Sequence, residues 1–239
     1  MILLAIETTG AFGSFAVVDG ADSAALKVLA GIDRDIMGRH VESSVELVSE
    51  VLDMASIRLS GLDGIAVSLG PGSFTGLRVG LGVAKGLSVG AGLPLVGVPT
   101  LDCLARPLSE REGLIVVARD ARRGEVYCSI YRSGGGSLDK VTADMSLAPA
   151  DLVARIAAER GRAGGAVTLV GDGLRTYAAV FGEVPGEVHL APESFWDVKA
   201  SVVGAIGIDL IKAGRTLDID TAEPIYVRPS EAERKRAGA

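Results

Sequence analysis

Two stretches of this chain follow one grammar, and that repetition limits the possible folds more than any single motif does. "ILLAIETTGAFGSFAVV" (2–18) is an apolar run ending in Glu7, then a small polar turn, then an alternating run. "LIVVARDARRGEVYCSIY" (114–131) does the same around Asp120. A second pair of echoes follows, "GIAVSLGPG" (64–72) and "AVTLVGDGL" (166–174), each an apolar run closed by glycines. Glu7 lies 63 residues before Gly70, and Asp120 lies 51 before Gly171. Two copies of one β-β-β-α-β-α unit, the second shortened, account for both pairs.

The periodicities fill in that unit. Period-2 runs predict strands at 2–6, 12–18 and 24–30, and period-3.6 runs predict helices at 40–56 and 74–92. Buried strands are expected at 62–70 and 93–98, around the second helix. In the second half a helix is expected at 150–160, and a long closing helix at 194–214. The fold class is therefore α/β, with the duplicated two-domain plan of the actin/hexokinase type. Pro99, Pro107 and "SEREG" interrupt the pattern, so the first domain is drawn as 1–105 and the second as 106–228, including the closing helix. Residues 229–239, "PSEAERKRAGA", carry charge without an apolar face and read as a flexible tail.

The glycine-rich stretch "SLGPGSFTGLRVGLGVAKGL" (68–87) places six glycines where the apolar spacing is helical. A phosphate loop of the Walker type needs Lys-Ser or Lys-Thr after its last glycine, but Gly76 is followed by Leu77 and Arg78. The dinucleotide fingerprint fails as well, because the sixth position counted from Gly70 is Thr75. Ser73 reads as a helix N-cap. Glycines at 76, 80, 82, 86 and 90 would cost roughly 4–5 kcal/mol of helix propensity. Close packing is the reading that offsets this cost. Gly76, Gly80, Val83 and Leu87 share one narrow stripe, and Gly82, Gly86 and Gly90 lie beside it.

The preceding helix also has more apolar surface than one sheet needs. Val41, Val45, Val48 and Leu52 form one stripe, with Leu47, Val51 and Met54 beside it and four acids opposite. One reading packs one stripe on the sheet and the other on the glycine-rich helix. The sharper reading offers both helices to a partner, with Val41, Val45, Val48, Leu52, Gly76, Gly80, Val83 and Leu87 as the contact residues.

No catalytic set stands out. His40 and His189 are far apart, no Cys pair has zinc spacing, and neither Cys103 nor Cys128 has a neighbouring base. No metal site and no cofactor site is therefore expected. Ser73 does not fit G-x-S-x-G. Glu7 and Asp120 stand at strand ends, where an actin-type fold places phosphate-loop acids or, equally, turn and cap acids. A net charge of −6 argues against nucleic-acid binding by this chain alone. Two cysteines fit a reduced compartment, and Lys85 and Pro94 break the longest apolar region, so the expectation is a cytoplasmic protein with no membrane span.

The glycine-rich stretch, "ARDARRGEVY", the "GRHVES" helix start, "LLAIETT" and "PIYVRP" together resemble the TsaB (YeaZ) family. That resemblance implies a duplicated actin-like (ASKHA, ribonuclease H-like) fold. It also implies a part in making threonylcarbamoyladenosine at position 37 of tRNAs that read codons beginning with adenosine. In that family the chain is not the catalyst: it pairs through its first-domain helices with the paralogue TsaD, which carries the metal-binding histidines, and the ATPase TsaE joins them. tRNA would be met only through the complex, and alone the same surface would form a homodimer. Two rivals remain at this stage, an actin-fold ATPase or small-molecule kinase using Glu7 and Asp120 with magnesium, and a glycoprotease-like metallopeptidase relative.

Overall fold

The computed structural model describes residues 1–36 and 40–228, with the side chains of 40–42 and 163 outside the description. The "GRHVES" start therefore falls largely outside the described residues, as does the predicted tail at 229–239. The chain divides into two compact units, Met1–Cys103 with Val198–Ile225, and Leu104–Asp197 with the chain from Tyr226.

In the first unit β1 (Ile2–Glu7), β2 (Phe12–Gly20), β3 (Leu26–Asp35), β4 (Gly64–Gly70) and β5 (Leu95–Pro99) form one sheet, ordered β3-β2-β1-β4-β5. The first three strands are an antiparallel meander, while β4 and β5 join β1 in parallel. Parallel strands need crossovers, and the helices α1 (His40–Ala55) and α2 (Phe74–Ala91) supply them. Alternation along β1 sends Leu4 and Ile6 to the face that α1 and α2 cover. There Leu47, Val48 and Val51 of α1 and Leu81 and Ala84 of α2 close the core with Phe15, Val17 and Val67. A short helix α3 (Thr100–Ala105) follows β5.

The second unit repeats the plan. β6 (Gly113–Asp120), β7 (Val126–Gly134), β8 (Ser137–Lys140), β10 (Val167–Val170) and β11 (Val188–Leu190) are ordered β11-β10-β6-β7-β8, and β9 (Met145–Leu147) also pairs with β7. Again the meander is antiparallel and the last two strands are parallel. The first crossover helix is kept, as α4 (Pro149–Ala163) between β9 and β10, but two single turns, α5 (Gly173–Thr176) and α6 (Ala178–Phe181), replace the second long helix. This is how the second copy is shortened.

The closing helix corrects the expected boundaries. It begins at Ala200 rather than 194, because residues 193–195 form a separate 3-10 turn, and α7 (Ala200–Lys212) belongs to the first unit. It covers the face of the first sheet opposite α1 and α2. Gly204 and Gly207 make this possible: a Cβ would stand 2.6 Å from Val18 at the first and 2.6 Å from Ala66 at the second. Its start is tied down where Lys199 reaches Asp33 at 2.7 Å and the Ala200 amide donates to Ser14 Oγ at 2.8 Å. Alternation along β1 points Leu3 and Ala5 to this second face, and the helix that covers it lies some 180 residues away in sequence, beyond the reach of local pattern.

Candidate partner-binding face

The turn after β1 is the pivot of the first unit. Glu7 is 1% exposed, and its carboxylate accepts from the Thr9 amide, the Thr9 hydroxyl and the Ser68 hydroxyl on β4. Three donors on two oxygens satisfy the buried charge. Thr8 Oγ1 donates to the Gly76 carbonyl at 2.7 Å, and the Ser73 amide donates to the Thr9 carbonyl at 2.9 Å. The hairpin tip is thus held by the first turns of α2, whose N-cap Ser73 accepts from the Gly76 amide.

This settles what two of the glycines do, and it corrects the expected contact set. A Cβ at Gly76 would lie 1.9 Å from the Thr8 carbonyl oxygen, and one at Gly80 would lie 2.2 Å from Thr8 Oγ1. Both positions are filled by the protein's own first strand, so neither admits a partner. The sequence carried the need for close approach but not its object. Thr8 and Ser68 went unnoticed; the signal was the "ETT" that puts two hydroxyls directly after the acid.

The other glycines of α2 face outward. A Cβ at Gly82, Gly86 or Gly90 would meet nothing within 4 Å. Beside them Val89 is 68% exposed, and Arg78 lies over the half-exposed ring of Phe74, 4.1 Å from its centroid. Val83 and Leu87 are intermediate, touching the core while keeping part of their surface. The α2 helix therefore divides by function along two stripes, an inward one of Gly76 and Gly80 and an outward one of Gly82, Gly86 and Gly90.

The stripes of α1 need the same correction. Its inward row is Ser44, Leu47, Val48 and Val51, the i, i+3, i+4, i+7 pattern of a helix lying on a sheet. Val48, expected to meet a partner, is in the core. Ser44, fully buried at the head of the row, disguised it. Val45 is 59% exposed, Met54 is exposed, and Leu52 is half-buried against the core. The Val41 side chain is outside the described residues. What remains exposed of its apolar side chains is Val45 and Met54, which lie half a turn apart about the helix axis, with Glu46 and Asp53 exposed on the outward side between them.

The corresponding turn of the second unit is more open. Asp120 accepts from the Arg122 amide at 2.8 Å and pairs with its guanidinium at 3.3 Å, while its own amide donates to Asp172 at 3.0 Å. Partial burial and the Asp120 charge hold the Tyr177 hydroxyl above its usual range. Glu125, at the other end of the turn, accepts from Ser146 Oγ and from Arg228 at 3.1 Å, and Arg228 also donates to the Ala121 carbonyl. "DARRGE" is clasped by "YVRP" within its own unit. Among the described residues no three His, Cys, Asp or Glu side chains gather as a metal site, and His189 is exposed beside Glu187. No described helix is long and apolar enough to cross a membrane.

Two units, each with an antiparallel meander continued by parallel strands and an acid at the end of its central strand, define a duplicated actin-like, ribonuclease H-like α/β protein. A family model described as "TsaD: tRNA N6-adenosine threonylcarbamoyltransferase" matches residues 34–232. The tRNA threonylcarbamoyladenosine biosynthesis protein TsaB of Escherichia coli (strain K12) is 30% identical over 83% of this chain and 85% of that protein. The crystal structure of a Pseudomonas aeruginosa protein with similarity to peptidase YEAZ superposes with a TM-score of 0.76 at 25% identity, over 95% of this chain and 99% of that one. The chain belongs to the TsaB (YeaZ) family. An inorganic polyphosphate/ATP-glucomannokinase from Arthrobacter sp. strain KM, with a TM-score of 0.52 at 14% identity over 88% of this chain and 99% of that one, shares the fold alone.

Proposed function

We infer that this chain takes part in threonylcarbamoyladenosine biosynthesis on tRNA, as a subunit that does not itself perform the transfer. In this reading it pairs with TsaD through the outward faces of α1 and α2, and that pairing keeps TsaD active on adenosine 37 of tRNAs reading codons that begin with adenosine. TsaE joins the assembly, tRNA is met through the complex, and the isolated chain self-pairs through the same faces. The observation that carries the proposal is the outward row Gly82, Gly86 and Gly90, beside exposed Val89 on the same helix. Interior helical glycines that the fold does not need are costly, and a partner backbone approaching closely over them offsets the loss. The acids Glu46 and Asp53 of α1 would form part of a polar rim.

The kinase and peptidase readings gain nothing from the geometry, since Glu7 already accepts three hydrogen bonds from its own chain. The test is reconstitution with purified TsaD and TsaE from the same organism and a supplied activated threonylcarbamoyl donor, measuring threonylcarbamoyl transfer to tRNA. The expected result is modification only when this chain and TsaD are both present. Transfer by this chain alone, or full transfer without it, would contradict the proposal.

A further inference from the structure

The second sheet ends in β11, and that edge carries a cavity of its own. Val188 and Leu190 line a space of about 540 Å³ with Leu174, Phe181, Val184 and Trp196. Leu190 is 61% exposed although its neighbours are apolar. The backbone of β11 is directional. The Glu187 carbonyl accepts from Val167 and the Ala191 amide donates to Leu169, so odd-numbered residues face β10. By the two-residue alternation of a strand, the amides and carbonyls of Val188 and Leu190 point to the open edge. Among the described residues no backbone partner meets them there.

An open edge beside an apolar cavity is what an added strand requires: backbone groups give the pairing and the cavity takes alternate side chains. The charge around it selects further. Glu183, Glu187 and Glu193 stand in the segment that lines or borders the cavity, all exposed, and of these Glu193 is paired with Arg175 at 2.7 Å. Glu187 has His189 beside it at 3.2 Å, and the Arg160 guanidinium is held nearby on the Pro185 carbonyl. We propose that β11 and this cavity form a docking site for an extended peptide segment of a partner protein, with bulky apolar residues at i and i+2 flanked by Lys or Arg. The two apolar side chains enter the cavity between Leu174, Phe181 and Trp196. The flanking cations meet Glu183 and Glu187 at its border. The site lies within the second unit and is independent of the α1 and α2 face.

The chain's single Trp, Trp196, lines the cavity and reports on it. The probe is the capped peptide RTLTFTK, titrated into the full chain while Trp fluorescence and peptide anisotropy are followed. The expected result is saturable binding, weakened at least tenfold for the charge-reversed ETLTFTE and lost for RTSTSTK. Val188→Pro separates strand addition from general stickiness. Its amide faces the open edge, so proline removes no bond to β10 and the fold is retained, yet an added strand loses a donor. Binding that falls at least tenfold in Val188→Pro at unchanged melting temperature supports the site. If RTLTFTK fails to saturate, or binds Val188→Pro as tightly as the parent chain, the proposal is overturned. Should Val188→Pro melt early, Leu190→Asp on the same strand gives the same reading through the cavity.

Discussion

Thr8 and Gly76 hold each other through both backbone and side chain. The Thr8 hydroxyl donates to the Gly76 carbonyl at 2.7 Å, and a Cβ on Gly76 would stand 1.9 Å from the Thr8 carbonyl oxygen. The turn after β1 and the helix are closer than any side chain at position 76 would permit. The helix that carries the outward strip is thereby aligned by the first strand of the sheet.

Gly76→Ala and Gly80→Ala are therefore expected to destabilise the first unit, although alanine is the better helix former. Overpacking of this kind costs about 1–3 kcal/mol. In a chain of this size each kcal/mol lowers the melting temperature by roughly 2–4 °C, which calorimetry would register. A rise in melting temperature would mean that Thr8 yields easily.

Glu7→Gln exchanges an acceptor-only carboxylate for an amide whose NH₂ faces donors. With Thr9 and Ser68 both donating to Glu7, at least one polar group is left unpaired in the interior. The expected loss is about 1–3 kcal/mol of stability. A phosphate-loop role predicts the opposite weighting, with nucleotide affinity falling while stability holds, and urea titration beside a nucleotide-binding assay would separate the two.

Acid should loosen the start of α7 before the rest of the unit. Burial alone would push the Asp33 carboxyl up, but its hydrogen bonds with Lys199 and Ser14 outweigh that and bring it below the ordinary carboxylate value. A depressed folded value contributes stability above the unfolded value, near pH 4, and that contribution is lost as pH falls through the folded one. Hydrogen exchange at residues 199–203, followed from pH 6 to pH 3, should accelerate in the parent chain on acidification. In Asp33→Asn it should be fast throughout. Parallel pH profiles for the two proteins would refute the link.

The cysteines should be silent in the native state. Burial pushes the Cys128 thiol up to about 12, an effect that the nearby Arg155 charge does not cancel, and Cys103 is buried as well. Neither should react with a disulfide reagent at pH 8 until the chain is unfolded, and then both should. Rapid native labelling of Cys128 would contradict its burial on β7.

Much of the fold was legible because each strand has a local signature. The alternation of "ILLAIE" and "FAVVDG", the acid at each central strand end and the echo of "GIAVSLGPG" gave the duplicated plan. What escaped depended on distant packing. Nothing local says that α7 returns to the first sheet, since the glycines that let it do so, Gly204 and Gly207, meet side chains of five residues on four different strands. The contact face was half legible for the same reason. Apolar spacing located the helices α1 and α2 but could not tell which stripe met the sheet, so Val48, Gly76 and Gly80 were assigned outward and prove to face inward.

The central claim concerns the outward glycines, and size-exclusion chromatography with light scattering tests it most directly. Gly82→Leu with Gly86→Leu adds side chains where a Cβ meets nothing within 4 Å, and it removes two helix-weakening glycines. The account predicts that the parent chain and TsaD from the same organism form a 1:1 complex. The double variant should melt at or above the parent's temperature and form no such complex. A double variant that binds TsaD like the parent, or a parent chain that forms no complex at micromolar concentrations, would contradict the account.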